Sequence, residues 1–71
     1  MNIYKEDLLP FQEKYPNASE LELKILFLRS DGYNYSGIQR VLGNPPKKFI
    51  RSVLLKFEPT LIDKDCNYNK L

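Results

Sequence analysis

SGIQRVLGNPPKKFIRSVLLKF, residues 36–57, decides the fold of this chain. Two short apolar patterns flank Gly43. Before the glycine, Ile38, Val41 and Leu42 recur at helical spacing, and Ser36 with Gln39 three residues on has the spacing of a capping box. Together they predict a helix over 36–42. After the glycine, Asn44-Pro45-Pro46 opens a second helix, because proline presets the dihedral of a first turn where its missing N–H costs little. Phe49, Ile50, Val53, Leu54 and Phe57 then form a broad apolar stripe, and Pro59 ends the helix by restricting Glu58. Gly43 supplies the positive φ that such a tight turn requires.

Toward the N-terminus, Ser19 and Glu22 form a second capping box ahead of Leu21, Ile25 and Leu28 at i, i+4 and i+7. Leu23, Leu26 and Phe27 widen that stripe into a core-facing helix. It ends at Ser30 or Asp31, with Gly32 placed for the left-handed position after a helix. Further back, Asp7 caps a short helix carrying Leu8, Leu9, Phe11 and Tyr15, with Pro10 in its first turn and Pro16 as its stop. An alternative start at Ile3, capped by Asn2, would be broken by Pro10. Toward the C-terminus, Thr60 to Leu71 lack helical periodicity. Thr60-Leu61-Ile62 reads as a short extended piece and Asp63-Lys64-Asp65 as a turn. A two-stranded wing just fits there, but a frayed tail or partner-binding arm is the simpler reading.

These patterns predict an all-α protein, a small three- to four-helix bundle containing a helix-turn-helix. Its core is made by helices over 20–31, 36–42 and 46–57. The chain divides into a short helix and linker (1–18), the helix-turn-helix core (19–58) and a tail (59–71).

Composition narrows the function. Seventy-one residues make one domain at most, and a chain this small buries only roughly 60% of its unfolded surface. With one cysteine, Cys66, and no histidine, it has neither an internal disulfide nor the companions of a zinc site, so no metal or cofactor is expected. No secretory signal pattern and no apolar run near the ~20 residues of a membrane span are present. The cytosol, or a nucleoid within it, is the expected compartment.

The net charge of +2 is unevenly spread. Residues 1–28 sum to −2 and residues 58–71 to −1, whereas residues 29–57 carry +5 from Arg29, Arg40, Lys47, Lys48, Arg51 and Lys56 against Asp31 alone. A polyanion would meet that basic middle. Catalysis lacks support: there is no Gly-rich phosphate loop and no nucleophile with a base nearby. Glu20 and Glu22 read as first-turn charges favoured by the helix dipole. The chain is expected not to be an enzyme.

Two short helices about a turn at Gly43, the second basic at its start, match a helix-turn-helix. Helical spacing puts Lys47, Lys48, Arg51, Ser52, Leu55 and Lys56 away from the Phe49/Val53/Phe57 stripe. The plain alternative is that these cations are only the solvated side of an amphipathic helix. Tyr33 is expected in the core, while Tyr35 is open between packing and stacking on a base. Cys66 reads as an unreactive free thiol.

The run Leu28-Arg29-Ser30-Asp31-Gly32-Tyr33-Asn34-Tyr35-Ser36-Gly37-Ile38-Gln39-Arg40-Val41-Leu42-Gly43 resembles the sigma-factor region 4 type of helix-turn-helix. It is also similar to those of transposases, small terminase subunits and phage regulators. The shared pattern is leucine-arginine, a glycine after the first helix, an aromatic, a short helix with isoleucine, then leucine-glycine and a basic helix. The resemblance extends over roughly Glu20 to Phe57. It implies double-stranded DNA as partner, with Lys47, Lys48, Arg51 and Ser52 facing the groove and Ser36, Gln39, Arg40 and Lys56 nearer the phosphates. It further implies a transcription regulator or accessory protein of bacterial, phage or mobile-element type. Because one such module buries little surface, a homodimer or a place in a larger transcription, recombination or packaging complex is expected, with the N-terminal segment and the Leu61-Ile62 tail as the natural places for that contact. The chain departs from the pattern at Pro45 and Pro46, which lack backbone donors for a phosphate, and at Ile50, which would shorten the polar face. The competing reading is a protein-interaction module, an antirepressor or polymerase-binding factor, using its acidic first third. RNA binding would need exposed aromatics on a platform.

Overall fold

The computed structural model describes residues 3–66, and among these the regular structure is entirely helical. Four α-helices, α1 (Lys5–Lys14), α2 (Glu20–Ser30), α3 (Tyr35–Leu42) and α4 (Lys47–Phe57), are followed by a 3-10 turn at Pro59–Leu61. The all-α expectation is thereby met. No helix among the described residues is long and apolar enough to cross a membrane. The alternative cap at Asn2 and the end of the tail, residues 67–71, lie outside the described residues.

Helix α2 sits at the centre, packed on α1, α3 and α4. Its first turn is closed by the expected box: the Glu22 N–H donates to Ser19 Oγ at 3.2 Å and the Ser19 N–H to Glu22 Oε1 at 2.8 Å. It ends in a Schellman arrangement. Gly32, at φ 102°, donates its N–H to the Arg29 carbonyl, and Tyr33 reaches back to the Leu28 carbonyl. Ile25, Leu26 and Leu28 of α2 meet Ile38 of α3 and Ile50, Val53 and Leu54 of α4 in a fully buried aliphatic core. Burying each of these side chains contributes about 1.5–3 kcal/mol, which is how so short a chain offsets its ordering entropy. Tyr33 closes one edge of this core, as expected.

Several expectations are corrected. Helix α1 begins at Lys5, because Asp7 acts from inside the first turn: its Oδ2 accepts the Tyr4 N–H at 3.1 Å. Pro10 therefore falls within the helix, where its missing hydrogen bond is tolerated because both Pro10 and Glu6, whose carbonyl loses a donor, are exposed. Helix α3 is capped by Asn34, whose Oδ1 accepts the Gly37 N–H at 2.8 Å, so Ser36 lies inside the first turn. Leu21 shares the Leu28 side of α2 by its seven-residue spacing but is 40% exposed, whereas Leu23 in the same turn is buried. Phe49 is 37% exposed on the flank of α4, about a quarter-turn from the buried stripe.

The tail differs most. Rather than an extended piece or a free arm, Pro59–Leu61 forms a 3-10 turn, and Leu61 and Ile62 pack against the core. They are held by Arg29. Its Nε donates to the Leu61 carbonyl at 2.8 Å, and Nη2 to the carbonyls of Ile62 at 3.1 Å and Lys64 at 3.3 Å. Nη1 reaches the Tyr33 carbonyl at 3.3 Å, and the guanidinium lies 4.8 Å from the Tyr35 ring centroid. Tyr35 thus packs within the protein. Lys64 Nζ returns to the Ser30 carbonyl, and Cys66 Sγ lies 3.7 Å from the Arg29 carbonyl oxygen. Leu61 and Ile62 are therefore half-buried against the core rather than carried on a free arm.

Candidate nucleic-acid interface

The turn between α3 and α4 is set by backbone chemistry that the sequence makes visible only in part. Gly43 has φ 79° and Asn44 has φ 70°, two consecutive left-handed residues. Gln39 holds both sides of the turn: its carbonyl accepts the Asn44 N–H at 2.7 Å, and its Nε2 donates to the Pro45 carbonyl at 3.0 Å. The residue expected near phosphate is thus engaged in shaping the turn. Pro46 precedes α4 with extended backbone and no side-chain cap, and its carbonyl accepts the Ile50 N–H at 3.1 Å.

Helix α4 presents two unlike faces. Ile50, Val53 and Leu54 are buried, while Lys47, Lys48, Arg51, Ser52, Leu55 and Lys56 are exposed. Ile50 belongs wholly to the core, so it does not shorten the polar face as expected. At about 100° per residue, the order around the outer face is Lys47, Arg51, Leu55, Lys48, Ser52, Lys56 and Phe49. The helix contains no acid. Among the described residues Lys47, Lys48 and Arg51 make no ion pair. Lys56 Nζ lies 5.0 Å over the Phe57 ring, and Ser52 Oγ donates to the Phe49 carbonyl at 2.7 Å. On α3, Arg40 is exposed and Ser36 half-buried. Arg40 lines a shallow open depression with Gln39, Gly43 and Asn44, beside the start of α4.

Two lysines stand in the first turn of α4, where the helix dipole disfavours positive charge and no acid compensates. The dipole, the uncapped N–H groups and both ammonium groups all favour an anion at that end. Glu58, the first acid after the helix, is engaged at the opposite end. Its Oε2 accepts the Tyr15 hydroxyl at 2.6 Å and Lys14 Nζ at 3.2 Å, and its Oε1 accepts the Thr60 hydroxyl at 2.9 Å. Those bonds hold its carboxyl below the ordinary carboxylate range, with Tyr15 the largest cause.

Arg29 was counted with the basic middle of the sequence but is 5% exposed and contributes nothing to this face. The signal was present: Arg29 follows Ile25 by four residues and Leu26 by three, on the buried stripe of α2. Comparison with family models, with curated proteins and with solved structures finds no match.

Proposed function

We propose that this chain binds double-stranded DNA as a small helix-turn-helix protein, with α4 in the major groove. The observation that carries the reading is the outer face of α4, which has four cations, no acid, and two lysines placed against the helix dipole. A placement that weakens the free helix makes sense when phosphate supplies the missing negative charge. A helix roughly 10–12 Å across also fits a groove about 12 Å wide. Lys47, Lys48, Arg51 and Ser52 would meet the groove and its walls. Arg40 and Lys56 would reach flanking phosphates, with Ser36 behind them at the start of α3.

A single helix buries little surface, so tight sequence-specific binding calls for two copies or a larger transcription, recombination or packaging complex. The resemblance noted above favours a regulatory or accessory role of bacterial, phage or mobile-element type. Fluorescence anisotropy of a labelled random duplex across a salt series tests the reading. Neutralising at least ~4 phosphates gives a log–log slope of about −3 or steeper. A shallow slope would favour a protein partner for this face, and no binding at low salt would remove the proposal.

A further inference from the structure

We propose that Leu55 is the base-reading residue of this face, recognising the C5-methyl group of thymine in the major groove; the inference rests on DNA binding by α4. Leu55 is 57% exposed. Measured around the helix, it lies about 150° from the mean direction of the buried set, with Arg51 on one flank and Lys48 on the other. A single exposed leucine is ordinary on any protein surface. This one stands on the outward side of a helix whose other exposed residues are Lys47, Lys48, Arg51, Ser52 and Lys56, with Phe49 at the margin.

Charge complementarity selects the occupant. A face with four cations and no acid calls for a polyanion, while between Arg51 and Lys48 it offers an apolar group that folding does not use. The duplex major groove presents both complements at once, with phosphates along its walls and, on its floor, an apolar methyl wherever thymine occurs. Lys48 and Arg51 precede Leu55 by about 10 Å and about 6 Å along the axis. Their long stems let the charged heads reach outward to the walls while the shorter leucine faces the floor. A cation at position 55 would add another phosphate contact, whereas leucine adds none and reads the base edge instead.

The test compares alternating poly(dA-dT) duplex with alternating poly(dA-dU) duplex, in which every register is equivalent and the thymine methyl is removed. Wild type is expected to bind the dU duplex about fourfold more weakly per contacted methyl. Leu55→Ala should bind both duplexes alike, near the wild-type strength on dU, and with an unchanged salt slope. Leu55→Met should keep the preference. Equal wild-type binding to the two duplexes with a steep salt slope would overturn the assignment to Leu55 while leaving DNA binding in place. A preference that persists in Leu55→Ala would assign it to duplex shape and likewise overturn the proposal. Absence of binding to either duplex at low salt would overturn the binding reading itself.

Discussion

Arg29 Nε donates to the carbonyl oxygen of Leu61 across 2.8 Å, tying the last turn of α2 to the segment after α4. Among the described residues no carboxylate pairs with this buried cation. Four backbone carbonyls and the Tyr35 ring take its place. Charge-assisted bonds of this kind are stronger than neutral ones, and carbonyls left without donors add their own cost. Arg29→Met should therefore lower stability by about 2–4 kcal/mol in urea denaturation. Arg29→Lys should recover only a minor part, since a single ammonium cannot span the same set of acceptors.

The bond between Tyr15 and Glu58 makes stability depend on acid. The folded-state pKa of Glu58 is lowered by the Tyr15 hydroxyl, then by Thr60 and Lys14. The unfolded chain therefore binds this proton more readily. The contribution is fully present above the ordinary carboxylate pKa and is lost as pH falls through the lowered folded value. Chemical denaturation across the acid range should show this loss in wild type, with a flatter acid limb in Tyr15→Phe. An identical acid limb in the two proteins would contradict this account of Glu58.

Asn34, not Ser36, carries the cap of α3. Asn34→Ala should cost about 1 kcal/mol, whereas Ser36→Ala should fall within about 0.5 kcal/mol of wild type. A thermal melt of each variant separates the two positions.

Gly43 sits at φ 79°, and a Cβ built there meets nothing within 4 Å. The cost of Gly43→Ala is thus a backbone cost alone, about 1–2 kcal/mol, with no repacking of the core. Native-like side-chain chemical shifts throughout the core, together with a lowered melting temperature, would be the expected signature.

The sequence was most legible where local chemistry acts alone. The Ser19/Glu22 box, Gly32 and Gly43 lie where read, since each works through neighbours a few residues away. The start of α3 was misplaced because Ser36 and Gln39 have the spacing of a box while Asn34, two residues earlier, does the capping. The tail was illegible for a different reason. Its contacts run between backbone carbonyls and an arginine more than thirty residues away, and backbone acceptors leave no mark in side-chain periodicity. Arg29 was counted as surface charge on the strength of its residue type, although its spacing put it on the buried stripe. For the candidate interface, spacing alone separated exposed from buried residues on α4 correctly at Lys47, Lys48, Arg51, Ser52, Leu55 and Lys56, and missed at Phe49 on the flank.

The central claim is that Lys47 and Lys48 serve a polyanion rather than the fold, and these two demands pull in opposite directions. Reversing both charges places acids at the positive end of the dipole of α4, which should stabilise the free protein by about 0.5–2 kcal/mol. The same change should abolish binding to duplex DNA at low salt. The decisive measurement is therefore one Lys47→Glu/Lys48→Glu variant read twice, by thermal melting and by anisotropy on a random duplex. A higher melting temperature with lost binding is the predicted result. A variant that binds DNA as wild type does would contradict the claim.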